Sequence, residues 1–442
     1  LRAKVQNRLK HDLLNRVVPP GLRKTKQLLG IGQAGEGLLF LVVVSGLVKE
    51  GGRMAFVLPK SLLTGISWFL VRCLLWSKFH LEHVVLSYDA RNGYNFSEST
   101  SLSEVLIVAR KRQTPRQDEE TTITTMLSKP LTSMEARALA LKILKAPSRE
   151  YLEVNGTKAF VHKFSRKDLI MNLDNWGRLC AFPSPQLNEL VSGIFLGKLY
   201  GKRIPITFLG DIVDVVGLAV RRGTFHEVFK QVRGRTPGAL PALIGGEENL
   251  RRTITATPNA QVICKKPKYL YTASKFLVPD RVWVETTHAL ALYCDVPAVS
   301  NLFFGLRPLE ALRLGENSLK VLILWFNTTW GILSIFANRT ETRGPWIELT
   351  TTKWKLLPVL NVKQLDDKII SKLVNIFDSC RRNELNRLPD QFNPDNIDPL
   401  RMKIDREFLE VIGIKVDEEE LHKLYRMVYG NLKQWIEGST LD

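Results

Sequence analysis

Leu38-Leu39-Phe40-Leu41-Val42-Val43-Val44-Ser45-Gly46-Leu47-Val48, then Lys49-Glu50-Gly51-Gly52, then Arg53-Met54-Ala55-Phe56-Val57-Leu58-Pro59: this run decides the fold. The first piece shows no polar/apolar alternation and is long enough for about three helical turns. Two adjacent glycines end it and turn the chain. The second piece is a short apolar run bounded by Gly and Pro, which suits a central strand covered on both faces. Beyond it the chain reads as a second helix (Ser61 to Trp76), a β-rich run His83 to Ser87, and a loop Asn92-Gly93-Tyr94-Asn95-Phe96. A strand from Ser103 to Lys111 completes the set. Helices alternating with strands predict an α/β architecture.

Outward from this core the character changes. Gln113 to Thr122 is polar, carries Pro115 and Asp118-Glu119-Glu120, and reads as a linker. Residues 134–146 have helix-forming composition. From 150 to about 390, short β-type runs alternate with turns: Ile204 to Leu209, Val213 to Val220, Tyr269 to Tyr271, Phe276 to Val278 and Val282 to Val284. Aromatic and basic residues interleave, as in Lys265-Lys266-Pro267-Lys268-Tyr269. After 390 the chain is helical and charged. Ile404, Phe408 and Ile412 recur at helical spacing, and Glu418-Glu419-Glu420 opens a second helix whose acids complement its dipole. These read as packing helices.

With 442 residues and 45% hydrophobic composition, the chain has room for two or three domains, each with a core. The net charge of +19 favours a polyanionic partner through counterion release, nucleic acid first among them. A basic host proteome or an RNA-binding role would give the same excess. Residues 1–26 alone carry eight Lys/Arg against Asp12. The five cysteines show no Cys-x-x-Cys spacing, which fits a reducing cytoplasm without a disulfide framework or zinc ribbon. The apolar run 38–48 is far shorter than the roughly 20 residues that span a bilayer, so no membrane partner is expected.

The segment from about 35 to 112 resembles the second half of the catalytic domain of adenine-specific DNA methyltransferases of type I and type IIG restriction–modification systems. That family has a helix ending in Leu/Val-Lys-x-Gly-Gly, here Val48-Lys49-Glu50-Gly51-Gly52. A strand of the form Arg-x-Ala-Phe-Val-Leu-Pro follows, here Arg53 to Pro59. Later a loop Phe, here Phe96, precedes a strand ending in a basic pair, here Arg110-Lys111. Further on, Asn327-Thr328-Thr329, Gly344-Pro345-Trp346-Ile347-Glu348-Leu349 and Leu357-Pro358-Val359 resemble motifs of the target-recognition region of type IIG enzymes. The resemblance implies a Rossmann-like sheet whose C-terminal half occupies 1–115, then a linker and helix (116–149), a mixed α/β target-recognition domain (150–390) and a helical tail (391–442).

The chemistry it implies is transfer of a methyl group from S-adenosylmethionine to the exocyclic amine of an adenine extruded from duplex DNA. The amine lone pair is conjugated with the ring. In the family an Asn/Asp side chain and a Pro carbonyl accept its hydrogens, so positioning and preorganised acceptors carry the rate. Phe96 is the expected stacking residue for the target base, with Tyr94 the alternative. Glu36 and Phe40 are placed beside the methyl donor. Lys265, Lys266, Lys268, Arg343, Trp346 and Lys353 are the expected DNA contacts. The family's Gly-containing donor loop and its Asn/Asp-Pro-Pro-Tyr/Phe motif lie upstream of the helix–Gly-Gly unit. Neither occurs among the roughly 35 residues before it, where Val18-Pro19-Pro20-Gly21 does not match. The chain is therefore expected to be the C-terminal portion of a longer methyltransferase, or one half of a split enzyme with a companion methyltransferase or nuclease subunit. The rival reading is a non-catalytic DNA-recognition subunit. Gly30-Ile31-Gly32-Gln33-Ala34-Gly35 matches a dinucleotide fingerprint but lacks the strand such a loop must follow. His80-Leu81-Glu82-His83 has two imidazoles and no third ligand in sight, and reads as structural.

Overall fold

The structure, a computed structural model, describes residues 16–19, 35–88, 96, 103–112, 116, 118–218, 222–234, 236–245, 247–341 and 346–437. The chain divides into two compact units. Unit 1 comprises residues 1–188, 340–344 and 437–442, and unit 2 comprises 189–339 and 345–436.

Unit 1 is built on a six-stranded mixed sheet. Its elements are helix α1 (Gly35–Leu47), strand β1 (Arg53–Pro59), helix α2 (Phe69–Lys78), β2 (Phe79–Ser87), β3 (Glu104–Lys111), β4 (Glu120–Met126), α3 (Ser133–Lys145), β5 (Glu150–Val154) and β6 (Thr157–Ser165). The order across the sheet is β1-β3-β2-β4-β6-β5. β3 is antiparallel to both β1 and β2, and β2 is parallel to β4. β1, β2 and β4 therefore point the same way. Pro59, Ser87 and Met126 end them at one edge, where Glu104 begins β3. Met54, Leu58, Val84, Leu86, Val105, Ile107 and Ala109 are buried on one face, under α1 and α2. On the opposite face α3 covers Met126, Leu152, Val154 and Val161.

Three expectations change here. Arg53 to Pro59, read as a central strand, is an edge strand: among the described residues β1 pairs with β3 alone. Its run of apolar residues reflects one face under α1 and another left half-open, where Val57 is 43% exposed. The expected single helix from Ser61 is broken at Gly65 into Ser61–Thr64, a 3-10 turn Ile66–Trp68 and α2. Arg72, fully buried, holds this break. Its guanidinium donates to the carbonyls of Leu62, Gly65, Leu173 and Asp174 at 2.6–2.9 Å, and burial lowers its pKa to about 10. Finally, the polar segment after Arg112 runs into β4, an inner strand. Five of its seven residues are β-branched, and Thr121 Oγ1 satisfies its own burial by donating to the Leu81 carbonyl at 2.7 Å. The positions 115 and 150 thus lie within the span of one sheet, because β5 and β6 extend it.

Unit 2 carries a seven-stranded sheet. Two short strands, β7 (Lys198–Leu199) and β8 (Lys202–Arg203), form a hairpin of their own, and β9 (Ile206–Phe208) pairs with Pro358–Leu360. The large sheet uses β10 (Val213–Val216), β11 (Phe229–Val232), β12 (Leu240–Leu243), β13 (Ala260–Cys264), β14 (Ser274–Pro279), β16 (Leu292–Ser300) and β17 (Phe303–Pro308). The intervening β15 (Arg281–Trp283) pairs with Trp346–Glu348. The order is β10-β17-β14-β16-β12-β13-β11. Tyr269 to Tyr271, expected as strand, belong to a 3-10 helix, Pro267–Thr272, which Pro267 starts.

Helices α4 (Glu316–Phe326) and α5 (Thr329–Ala337) meet at a 73° bend. The motif Asn327-Thr328-Thr329 is the corner. Asn327 is buried, accepting from Leu290 N and donating to the carbonyls of Ala291 and Ile323 at 2.8–2.9 Å. Thr328 caps α5 through Gly331 N. At Gly331 a Cβ would lie 2.0 Å from the Trp325 carbonyl oxygen, so only glycine fits. The C-terminal helices are part of this core. In α7 (Pro399–Val411), which follows α6 (Asp367–Cys380), Asp405 accepts from Thr329 N at 2.9 Å and from the Tyr425 hydroxyl of α8 (Glu418–Glu437) at 2.7 Å. Arg401 binds Gln391 Oε1 and the Asn327 carbonyl. Arg401 also pairs with Asp405, and both side chains are fully buried and hydrogen-bonded, the condition under which a buried pair is tolerated. No single helix among the described residues is long and apolar enough to cross a membrane.

Candidate functional site

In open α/β sheets ligands sit outside the carboxyl ends of the strands. In unit 1 that edge gathers the end of β1, the end of β2 and the loop that joins β2 to β3. Phe96 belongs to this loop. It is 39% exposed and lies outside the buried clusters, and its backbone N–H donates to Glu104 Oε2 at 2.9 Å. Tyr94 lies outside the described residues. Directly after β1 and β2 stand Lys60 and Tyr88, both buried. The Lys60 ammonium donates to the Tyr88 hydroxyl at 3.2 Å and sits 4.2 Å from its ring centroid. That hydroxyl in turn contacts the carbonyls of Cys180 and Ala181 at 2.9 Å. Lys60 N donates to Ser103 O at 2.7 Å, and Tyr88 N to Met126 O at 2.7 Å. Two strand ends and the start of β3 are thereby pinned together. Sequence reasoning missed Lys60 and Tyr88. Their signal was position only, each being the first residue after a parallel strand.

Glu36 lies in the first turn of α1, with its side chain outside the described residues. Phe40, one turn on, is 61% exposed and meets Phe56 edge-on at 5.8 Å. Phe96 is on the β2–β3 loop and Phe40 on α1. Of the Gly30–Gly35 run only Gly35 is described, as the start of α1. His80 and His83 lie on β2. Between them Glu82 is held by Arg53 at 2.7 Å and Arg110 at 2.8 Å, so its carboxylate is already neutralised. Burial lowers the pKa of His83.

In unit 2, Lys265, Lys266 and Lys268 come together on one exposed turn after β13, with Lys268 Nζ 5.3 Å from the Tyr269 ring centroid. Lys353 is elsewhere, on the helix Thr351–Lys355. Its ammonium donates to the Asn338 carbonyl at 2.9 Å, at the end of α5. Trp346 pairs through its backbone with Trp283, its side chain lying outside the described residues, as does all of Arg343. Structure therefore groups three of the six expected DNA contacts. It adds Lys230 and Arg233 on the neighbouring strand β11 and the turn after it, which the sequence alone did not join to them. No group of three or more His, Cys, Asp or Glu suited to a metal ion occurs among the described residues.

No family model matches the chain, and no curated protein sequence matches it. Among solved structures it is similar to the type IIG restriction endonuclease BpuSI, at 14% identity over 98% of this chain and 53% of that one, with a TM-score of 0.44. It is also similar to the type IIL restriction-modification enzyme MmeI in complex with DNA, at 10% identity over 98% of this chain and 55% of that one, TM-score 0.37. A third is a type I restriction-modification system methyltransferase subunit from Streptococcus thermophilus, at 16% identity over 36% of this chain and 33% of that one, TM-score 0.25. The chain spans about half the length of the first two. These structural neighbours are restriction–modification enzymes.

Proposed function

We propose that this chain is the base-binding and DNA-reading portion of an adenine-specific DNA methyltransferase of a restriction–modification system. The observation that carries the reading is the ordered set Lys49-Glu50-Gly51-Gly52, Arg53 to Pro59, Phe96 and Arg110-Lys111. It folds so that an exposed aromatic stands at the carboxyl edge of two parallel strands. Phe96 stacks on the extruded adenine, a contact worth about 1–3 kcal/mol. Glu104 holds the Phe96 backbone, and Lys60 and Tyr88 tie together the ends of β1 and β2 and the start of β3. Toward S-adenosylmethionine the described residues of α1 offer the exposed ring of Phe40. Binding of the donor, and the acceptors for the amine hydrogens, fall to a second polypeptide segment.

Unit 1 has a surface for such a segment. α1 is apolar around its whole circumference, a pattern that belongs to buried helices. Yet Phe40, Val43 and Leu47 are 58–79% exposed, and the neighbouring edge of β1 is open among the described residues. An open edge beside an uncovered apolar helix is where another strand and its covering layer add.

The test uses the pure chain, labelled S-adenosylmethionine and mixed-sequence duplex DNA. The chain is expected to bind duplex with a steep salt dependence and to transfer no methyl group alone. Transfer is expected once a polypeptide carrying the Gly loop and the Asn/Asp-Pro-Pro-Tyr/Phe motif is added. Methylation by the chain alone, or no duplex binding at low salt, overturns the proposal.

A further inference from the structure

The unit 2 sheet ends in β12, β13 and β11, and its outermost two strands, β13 and β11, form an antiparallel ribbon over a small core of its own. Phe229, Val262 and Ala242 are buried on its inner face with Phe225 and Val228. The antiparallel register pairs Lys230 with Ile263 and Val232 with Gln261, which places these four side chains together on the outer face. Lys230 and Gln261 are exposed there, and β11 is the edge of the sheet. Lys265 and Lys266 stand at one end of the ribbon, where Lys265 N bonds to Val228 O. Arg233 stands at the other, five residues along. At a strand rise of about 3.4 Å the two ends are about 17 Å apart.

The ribbon is rich in bases and poor in acids. Residues 219–245 hold five Lys/Arg against Glu227 alone, and residues 260–268 hold three Lys and no acid. Lys230, Arg233, Lys265 and Lys266 make no ion pair among the described residues. Beside Gln261 lies a groove of about 630 Å³ lined by Val232, Gly234, Pro241, Asn259 and Val296. Its wall is set by Asn259, whose amide is spent on the N–H and carbonyl of Ile244 at 2.8–2.9 Å. Among the described residues Gln261 makes no such bond, and its exposed amide is available.

The major groove of B-DNA is about 12 Å wide and admits a two-stranded ribbon. In it a glutamine pairs with adenine through N6 and N7, and a lysine with guanine through O6 and N7. We infer that the β11–β13 ribbon is the base-reading element of this protein: its outer face enters the major groove, Gln261 and Lys230 contact purine edges, and Lys265, Lys266 and Arg233 contact the flanking phosphates. The inference rests on the DNA-binding part of the function proposed above and names the surface that performs it.

The test uses the full chain and randomised 25-base-pair duplexes, in anisotropy titrations over a salt series and in rounds of selection. Lys265→Ala with Lys266→Ala is expected to weaken binding to all sequences and to lower the log–log salt slope by about 1.8. Lys372→Ala, on an exposed position of α6, serves as the control and is expected to leave the slope unchanged. Gln261→Ala should bind the random pool within twofold of the parent yet lose its preference at one base pair by about tenfold or more. Gln261→Glu should move that preference from adenine toward cytosine, which donates from N4. Ribbon variants that behave like Lys372→Ala, or a Gln261→Glu protein that selects the parental sequence, overturn the inference while leaving DNA binding intact. So does tighter binding to single-stranded RNA of the same length. Failure of the unaltered chain to bind any duplex would instead reject the DNA reading itself.

Discussion

At the scale of single residues, Phe96 and Gly331 make opposite demands. Phe96 is a surface aromatic, so its loss costs little stability. In the reconstituted enzyme Phe96→Ala is expected to lower methyl transfer by about one to two orders of magnitude, because stacking of about 1–3 kcal/mol acts on the extruded base. Duplex affinity, which comes mainly from phosphate contacts, should barely change. Phe96→Trp keeps a ring face and should keep most of the activity. A 2-aminopurine probe at the target position reports whether the base still leaves the stack; normal methylation by a folded Phe96→Ala protein would remove Phe96 from the pocket. Gly331 is different. A Cβ there meets the Trp325 carbonyl at 2.0 Å and Phe326 Cα at 2.8 Å, so the α4–α5 corner must open. Gly331→Ala is expected to destabilise unit 2 by at least about 3 kcal/mol, read from urea unfolding. Gly46→Ala, inside α1 with nothing within 4 Å, should be neutral or stabilising by up to about 1 kcal/mol.

At the scale of elements, α1 and β1 stand out because their composition and their burial disagree. The helix–Gly-Gly–strand unit was legible from residue types alone, and so was the order of helix, strand and loop up to Lys111. What those residues did not reveal is that β1 ends the sheet. An apolar run is compatible with a central strand or with an edge awaiting a neighbour, and periodicity cannot separate them. The double variant Phe40→Lys, Leu47→Glu is expected to fold with stability within about 0.5 kcal/mol of the parent, since both side chains are mostly exposed. It should also bind less of a hydrophobic dye and fail to capture the motif-bearing polypeptide. Unimpaired capture and methyl transfer by this variant would show that the partner docks elsewhere.

At the scale of the whole molecule, pH dependence should have an identifiable source in unit 1. His162 on β6 lies 4.1 Å from the Phe164 ring and faces Arg149 and Asp168. Burial first, then Arg149, lower its pKa to about 4, while Asp168 opposes them. The unfolded chain binds this proton near pH 6.5, before the folded one does. The stability contributed by the neutral ring is thus complete above about 6.5 and is lost as pH falls from there to about 4. Urea midpoints measured between pH 4 and 7 should fall with acid, and His162→Phe should flatten that slope. An unchanged slope would assign the acid sensitivity to other groups, His83 first, whose pKa is also lowered by burial.

Features that depend on local chemistry are legible in the residues themselves. Apolar periodicity, paired glycines and capping acids are read within a few residues, so the helices at 35–47, 133–145, 399–411 and 418–437 follow from them, as do the strands around Val57 and Ile107. The net charge and the position of Phe96 in a polar loop were likewise local facts. Pairing between distant segments is set in the folded chain alone. It made the Thr-rich stretch at 120–126 an inner strand, because strand neighbours and a carbonyl for the Thr121 hydroxyl come from residues some 40 positions away. It turned Asn327-Thr328-Thr329 into a buried corner locked by Asp405, 76 residues on. It set Gln261 beside Val232 and Lys230 beside Ile263, a register that no single-strand pattern encodes. Strand register and buried polar pairing are fixed by complementarity between surfaces, and that complementarity exists only once the chain has brought them together.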